Sequence, residues 1–227
     1  FDEDGRMWVV QMCDYPTGPT KDAPLRSRIS ILEDKDGDGF FETATMFADN
    51  LSFATGVQPW KGGAFVTMSG KVAYLKDTNG DGKADVVDTW YTGFIQGNQQ
   101  LRANHPTLGL DNHIYVANGL LGGRIRDARF PDMRPVSISS MDFRFDPRNR
   151  SFEGVSGVGQ FGLTFDDYGN RFECTNRNPV IHIVVEDRNL KRNPAVTVSA
   201  VAHDVAKAAG DSKLNSIGHV WVTSNLH

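Results

Sequence analysis

The stretch Asp34-Lys35-Asp36-Gly37-Asp38-Gly39-Phe40-Phe41-Glu42 constrains this chain more than any other. Acidic side chains at alternate positions, then a glycine, then Glu42, wrap oxygen ligands around one hard cation. Gly39 permits the sharp turn that brings early and late carboxylates together. The arrangement returns as Asp77-Thr78-Asn79-Gly80-Asp81-Gly82-Lys83-Ala84-Asp85, starting 43 residues later. A whole supersecondary unit therefore repeats with its ligands. Both read as calcium loops, with Asp34, Asp36, Asp38 and Glu42 as ligands in the first and Asp77, Asn79, Asp81 and Asp85 in the second. The competing reading is a pair of metal-free turns, which the same residues favour.

The flanks decide what kind of loop this is. An EF-hand needs a helix on each side and a bidentate Glu at the twelfth position. Those positions here are Thr45 and Asp88. The preceding segments, Arg28-Ile29-Ser30-Ile31-Leu32-Glu33 and Val72-Ala73-Tyr74-Leu75, alternate and favour β-structure, as does Val86-Val87-Asp88-Thr89-Trp90-Tyr91. These are strand signals, so each acidic loop joins two strands of a hairpin.

A turn followed by an aromatic-bearing strand occurs four times, centred on Trp8, Phe65, Tyr115 and Phe172, with spacings of 57, 50 and 57 residues. Repeated all-strand units of this length predict an all-β chain, a β-propeller with about four blades present, as one domain or propeller segment over residues 1–227. A sandwich ranks second, since it has no reason to repeat one unit four times. Helical signal is confined to Ala202-His203-Asp204-Val205-Ala206-Lys207-Ala208-Ala209, stopped by Gly210. Residues 16–24 and 92–100 read as polar loops. Val220-Trp221-Val222 reads as a strand just begun, and with the abrupt start predicts a propeller incomplete at both ends.

Composition removes several function classes. The net charge is −4 with no basic stripe, which argues against nucleic acid. No apolar run reaches membrane-spanning length. The start at Phe1-Asp2-Glu3-Asp4 has no signal-peptide character. Two cysteines, Cys13 and Cys174, permit one disulfide without establishing it. Extracellular-type calcium modules favour a periplasmic or other extracytoplasmic setting.

The run into each acidic loop, together with Gln160-Phe161-Gly162-Leu163-Thr164-Phe165-Asp166-Asp167-Tyr168-Gly169-Asn170-Arg171-Phe172, resembles the membrane-bound dehydrogenase propellers of planctomycete-type bacteria. Those are often fused to a C-type haem domain and are distantly similar to quinoprotein glucose and sorbosone dehydrogenases. The resemblance spans essentially the whole chain. It implies a sugar or alcohol substrate, a pyrroloquinoline-type quinone and a haem domain or cytochrome as electron acceptor. No Cys-x-x-Cys-His haem site occurs in the chain, so a haem would lie outside it.

In those relatives a His precedes a strand of the type Gly-x-Asp-x-x-Ile-Tyr and takes the proton of the sugar hydroxyl. Asn104-His105-Pro106-Thr107-Leu108-Gly109-Leu110-Asp111-Asn112-His113-Ile114-Tyr115 matches, which puts His105 in the base position. An imidazole suits that task, while a His bonded to loop backbone is the bland alternative. His113 reads as a turn residue. One departure stands out: the relatives carry an Arg-Asn pair where this chain has Gly157-Val158-Gly159-Gln160.

Other chemistries lack their motifs. Gly154, Gly157 and Gly159 have no strand-then-helix context, no nucleophile elbow occurs, and the six histidines show no zinc spacing. Arg124, Arg126 and Arg129 with Asp127 and Asp132 read as a solvated charged loop. Loops of a propeller converge on one face, which is the default pocket. Asn98, Gln99, Asn104 and His105 belong there, with Arg124 and Asn176 as further cofactor-binding candidates. Two readings stand: a quinone-dependent dehydrogenase, or a non-catalytic calcium-stabilised propeller that binds a glycan or protein.

Overall fold

The computed structural model describes residues 1–19 and 22–206. The first sheet contains β1 (Met7–Gln11), β2 (Ser27–Glu33) and β3 (Thr43–Leu51). The second is built on β4 (Gly56–Trp60), β5 (Gly63–Met68), β6 (Lys71–Lys76) and β7 (Val86–Phe94). The third begins with β8 (Asn104–Leu108) and β9 (Ile114–Ala117). The chain then detours through β10 (Gly123–Asp127) and β11 (Val136–Ser137), which extend the second sheet beyond β7. It returns as β12 (Asp142–Phe145) and β13 (Phe152–Val155) to complete the third. The fourth sheet is β14 (Leu163–Phe165), β15 (Arg171–Glu173), β16 (Ile181–Ile183) and β17 (Ala202–Asp204). Every pairing is antiparallel.

The period-two pattern explains how the sheets stack. On β5, Phe65 enters the core shared with the third sheet, while Val66 enters the core shared with the first. On β6, Val72 and Leu75 divide in the same way. On β9, Ile114 and Val116 face the second sheet, and Tyr115 and Ala117 face the fourth. A strand whose consecutive side chains are all buried must have sheets on both faces. Aromatic edges lock the largest of these layers: Phe65 meets Phe145 and Trp90 in T-shaped contacts at 5.0 and 4.7 Å. The four recurrent aromatics fall on equivalent strands, Trp8 on β1, Phe65 on β5, Tyr115 on β9 and Phe172 on β15. Beside them, β1 packs near β4, β4 near β8 and β8 near β14.

Asp14 ties the first two sheets together. Its buried carboxylate accepts hydrogen bonds from the Arg26, Ser27 and Phe53 amides and from the Ser27 hydroxyl. Burial works against ionisation here, and those donors overcome it, holding the pKa below the usual carboxylate value.

Several expectations need correction. Ala202–Asp204 is a strand paired with β16 rather than a helix start, because its residues complete the fourth sheet's edge. The rest of that helical expectation beyond Ala206, and the strand expected from Val220, lie outside the described residues. The polar loop expected from residue 92 begins later, since β7 continues to Phe94. A helix, α1 (Asp187–Arg192), occupies a stretch that carried no helical expectation. Cys13 and Cys174 are free thiols. Among the described residues no helix is long and apolar enough to cross a membrane.

Candidate functional site

The two acidic loops join equivalent strands, β2 to β3 and β6 to β7, and they fold alike. Asp34 accepts hydrogen bonds from the Gly37 and Gly39 amides at 2.7 and 2.8 Å. Asp77 accepts from Gly80 and Gly82 at 2.7 Å each. At the loop's far end, Glu42 accepts from the Lys35 amide and Asp85 from the Thr78 amide, the same bond in both copies. Gly39 and Gly82 have φ of +90° and +84°, which a residue with a β-carbon rarely adopts. The Gly82 and Gly80 amides are the main reason the Asp77 carboxyl titrates below its ordinary value.

In the first loop, oxygens of Asp34, Asp36, Asp38 and Glu42 lie within 4.8 Å of one another. Oxygens that each sit about 2.4 Å from one cation have that spread, so the four side chains can hold a metal ion. Without a cation, four converging carboxylates repel one another. Among the described residues this is the one such carboxylate group. The second loop has only three carboxylates, Asp77, Asp81 and Asp85, with the Asn79 amide as its fourth oxygen. It lies against the first sheet, where the Ala84 amide donates to Phe47 O at 2.7 Å.

A cleft of about 700 Å³ opens where the four sheets meet. The first sheet contributes Val10, Met12 and Tyr15; Ala54 and Thr55 lie just ahead of β4. From the third come Gln99, Gln100, Arg102, Asn104 and His105, and from the fourth Phe161, Gly162 and Asn176. Among the described residues no acidic side chain lines it.

His105 is aimed by its backbone. Between Asn104, opposite Ala117, and Thr107, opposite Tyr115, β8 carries one more residue than β9. This bulge contains His105 at φ +54°, a left-handed conformation costing a β-carbon residue about 1 kcal/mol. Bulges re-aim side chains in this way beside functional sites. The residue is exposed to the cleft, yet protein atoms crowd the ring, and desolvation pulls its pKa below that of an ordinary histidine. The imidazole is therefore neutral near pH 7 and free to accept a proton.

Among the described residues Arg102 is the cleft's one formal charge. It is 9 % exposed, lies 4.1 Å over the Phe53 ring, and donates through Nε and Nη2 to Gln96 O. Among the described residues its Nη1 has no partner. Desolvation lowers its pKa.

The sequence candidates separate into two groups. Gln99, Asn104, His105 and Asn176 meet in the cleft. Asn98 does not; its side chain caps the 3-10 turn Gln99–Leu101 by accepting from the Gln100 amide. Arg124 does not either, because it sits exposed on β10 opposite Ser137. Neither lines the cleft. Asn104 serves as a clamp: Nδ2 donates to Arg102 O and Gln160 O, and Oδ1 accepts from the Gly162 amide. Its amide is spent on backbone. In the charged loop, Arg129 pairs with Asp127 at 2.6 Å and Arg126 donates to Met133 O.

Sequence reasoning missed Tyr15, Gln100, Arg102 and Phe161. Tyr15 and Gln100 are 85 residues apart and joined by a 2.6 Å hydrogen bond. Arg102 had one available signal, its place in the polar run that leads to His105. A smaller cavity of about 280 Å³ between the third and fourth sheets is lined by Asp111, Arg171 and Glu186. Asp111 pairs with Arg144 there, and Arg171 with Glu186.

The family model described as a domain of unknown function (DUF7133) matches residues 1–227. No curated protein and no solved structure gives a significant match.

Proposed function

The chain belongs to the family described as a domain of unknown function (DUF7133), and within it we propose a β-propeller that oxidises a sugar or alcohol hydroxyl, with His105 as general base. The observation that carries this reading is the convergence of all four sheets on one cleft, lined by no acid among the described residues, into which a bulge turns His105. Sheets stacked in chain order, with the edge strands β1, β4, β8 and β14 near one another, are the arrangement of propeller blades. The hairpin loops bind calcium, whose hard oxygen preference matches their carboxylates, amide and turn geometry. Weak extracellular-type calcium sites suit an extracytoplasmic setting.

The cleft fits a planar quinone. It has room for one, the Phe161 ring is 39 % exposed at its wall, and the Gln99 and Asn176 amides face it. A bound quinone supplies a two-electron acceptor for hydride, and a haem domain or cytochrome is the onward electron acceptor. His105 accepts the hydroxyl proton as the substrate's C–H bond gives up hydride and its C–O bond becomes a carbonyl. Neutral imidazole is the form that does this. The Asn104 clamp ties the start of β8 to Arg102 and to the Gln160–Gly162 loop, which holds the backbone that carries the base.

A second reading has its own observation. Asn104 is committed to backbone, and no Arg-Asn pair lies at Gly157-Val158-Gly159-Gln160, where the Gly159 amide donates to Asp142 instead. That favours a calcium-stabilised propeller that binds a glycan or protein without catalysis.

Dye reduction by calcium-loaded protein with pyrroloquinoline quinone, over a panel of sugars and alcohols, separates the two. Turnover that disappears in His105→Ala supports the dehydrogenase. Folded protein that neither binds the quinone nor reduces dye leaves the binding scaffold.

A further inference from the structure

We infer that the cleft selects ligands by a carboxylate that pairs with Arg102. The inference rests on the cleft being a ligand site, but not on His105 performing chemistry.

Among the described residues three arginines are buried, Arg102, Arg144 and Arg171, and of these Arg102 alone has no acidic neighbour; the half-buried Arg28 also has a nitrogen without a partner. Arg144 meets Asp111 and Glu153, Arg150 meets Asp88, and Arg171 lies among Asp142, Glu173 and Glu186. Among the described residues no carboxylate comes within 4.0 Å of Arg102. A charge taken out of water needs an opposite charge or a full set of hydrogen bonds. Arg102 has two bonds to a single carbonyl, an aromatic face and one unpartnered nitrogen. The missing partner is an anion, and the cleft is where one can arrive.

The surroundings narrow its class. The walls carry no described acid, so nothing repels an incoming carboxylate. His105 is neutral, which leaves a single positive charge and matches a monoanion; a phosphate dianion would keep one charge uncompensated. A guanidinium also matches the planar geometry of a carboxylate. Gln99, Asn176 and Tyr15 offer amides and a hydroxyl to a polyol, while Val10, Met12 and Phe161 supply apolar contact. A hydroxylated organic acid such as a sugar acid fits this set, whereas a quinone bearing several carboxylates could set only one of them on Arg102. Nη1 is itself covered, so pairing with it requires the guanidinium to shift over the Phe53 face.

Calorimetry and thermal shift on the full calcium-loaded chain, with D-glucuronate, D-glucose and pyrroloquinoline quinone as probes, test this. Glucuronate should bind at least about ten-fold tighter than glucose, and Arg102→Met should remove that preference. The variant should melt no lower than wild type, because it loses an unpaired buried cation. A loss confined to glucuronate assigns the acid to the substrate, and a loss confined to the quinone assigns it to the cofactor; either supports the inference. Equal affinities in wild type and Arg102→Met, or no binding of either carboxylate to folded wild type, overturn it. Should Arg102→Met not fold, Arg102→Lys keeps the charge without the planar fork, and an unchanged carboxylate preference there overturns the guanidinium's role. Turnover without carboxylate preference sinks this inference alone, whereas carboxylate binding without turnover sinks the dehydrogenase alone.

Discussion

Gly56 lies directly against His105: a β-carbon at position 56 would come 2.7 Å from the His105 amide nitrogen and 3.0 Å from its Cα, and closer still to Pro106. These neighbours are backbone and a proline ring, which cannot rotate away. Gly56→Ala should therefore displace the bulge that carries the imidazole. An overpacked site costs about 1–3 kcal/mol, and a base moved by about 1 Å loses roughly a hundred-fold in rate. Thermal unfolding and dye reduction read the two effects together. Wild-type values for both would show that β8 yields freely and that its placement of His105 is not exacting.

His105→Ala is expected to abolish turnover and leave the melting temperature nearly unchanged, since the ring makes no hydrogen bond among the described residues. Its lowered pKa sets the pH dependence. Only the neutral ring accepts a proton, so activity should climb through the acid range and level off by neutrality. A wild-type profile that is flat at acid pH, or an Ala variant that still turns over, removes His105 as the base.

Asp14→Ala should destabilise the chain by about 2–4 kcal/mol, because it strands several donors in a buried joint between the first and second sheets. Urea unfolding would measure it. A loss below about 0.5 kcal/mol would mean that other atoms satisfy those donors and that the joint is not held by Asp14.

The parts legible in the sequence are those written locally. The spacing of Asp34, Asp36, Asp38 and Glu42 is a property of nine consecutive residues, and their convergence follows from the turn they form. Trp8, Phe65, Tyr115 and Phe172 announce their strands because alternation is a short-range pattern. The cleft is different, since segments near residues 10–15, 54–55, 99–105 and 161–176 build it jointly. Position in the chain could not tell Gln99, which reaches the cleft, from Asn98, which turns to cap its own backbone. Arg124 looked equally suitable until β10 paired beside β7 and carried it away. The polar run before His105 hints at Arg102, but its lack of an acidic neighbour among the described residues is a property of three dimensions.

Calcium should stabilise the fold by mass action, by about 2.7 kcal/mol per site at a hundred-fold excess over its dissociation constant. Chelation should lower the melting temperature. Asp38→Ala and Asp81→Ala should each lower the bound calcium by one. Removal at the second loop should also loosen the first sheet, because Ala84 is bonded to Phe47 across that junction. Hydrogen exchange at the Ala84 amide would report it. Unchanged stoichiometry in either variant excludes that loop as a site.

Glu173 on β15 faces Asp142 on β12 beneath Gly157, with Arg171 and Glu186 as the neighbouring charges. Asp142 Oδ2 and Glu173 Oε1 both lack partners when both groups are ionised, and one shared proton gives each a hydrogen bond. Burial foremost, and then the Asp142 carboxylate, push the Glu173 pKa up to about 10. The folded state thus keeps a proton that the unfolded chain releases near its ordinary value of 4.5. More protons bound when folded means that stability falls as pH rises through that window, by up to about 1.4 kcal/mol per pH unit. Stability from this group is fully present below pH 4.5 and is lost progressively toward pH 10. Glu173→Gln keeps a donor for Asp142 and an acceptor for the Val158 amide without a proton to lose. The variant should match wild type in acid, exceed it at neutral and alkaline pH, and show a flatter profile in urea unfolding across that range. A wild-type slope retained in the variant would mean that Glu173 is ionised in the fold and that Arg171 alone balances the junction between the third and fourth sheets.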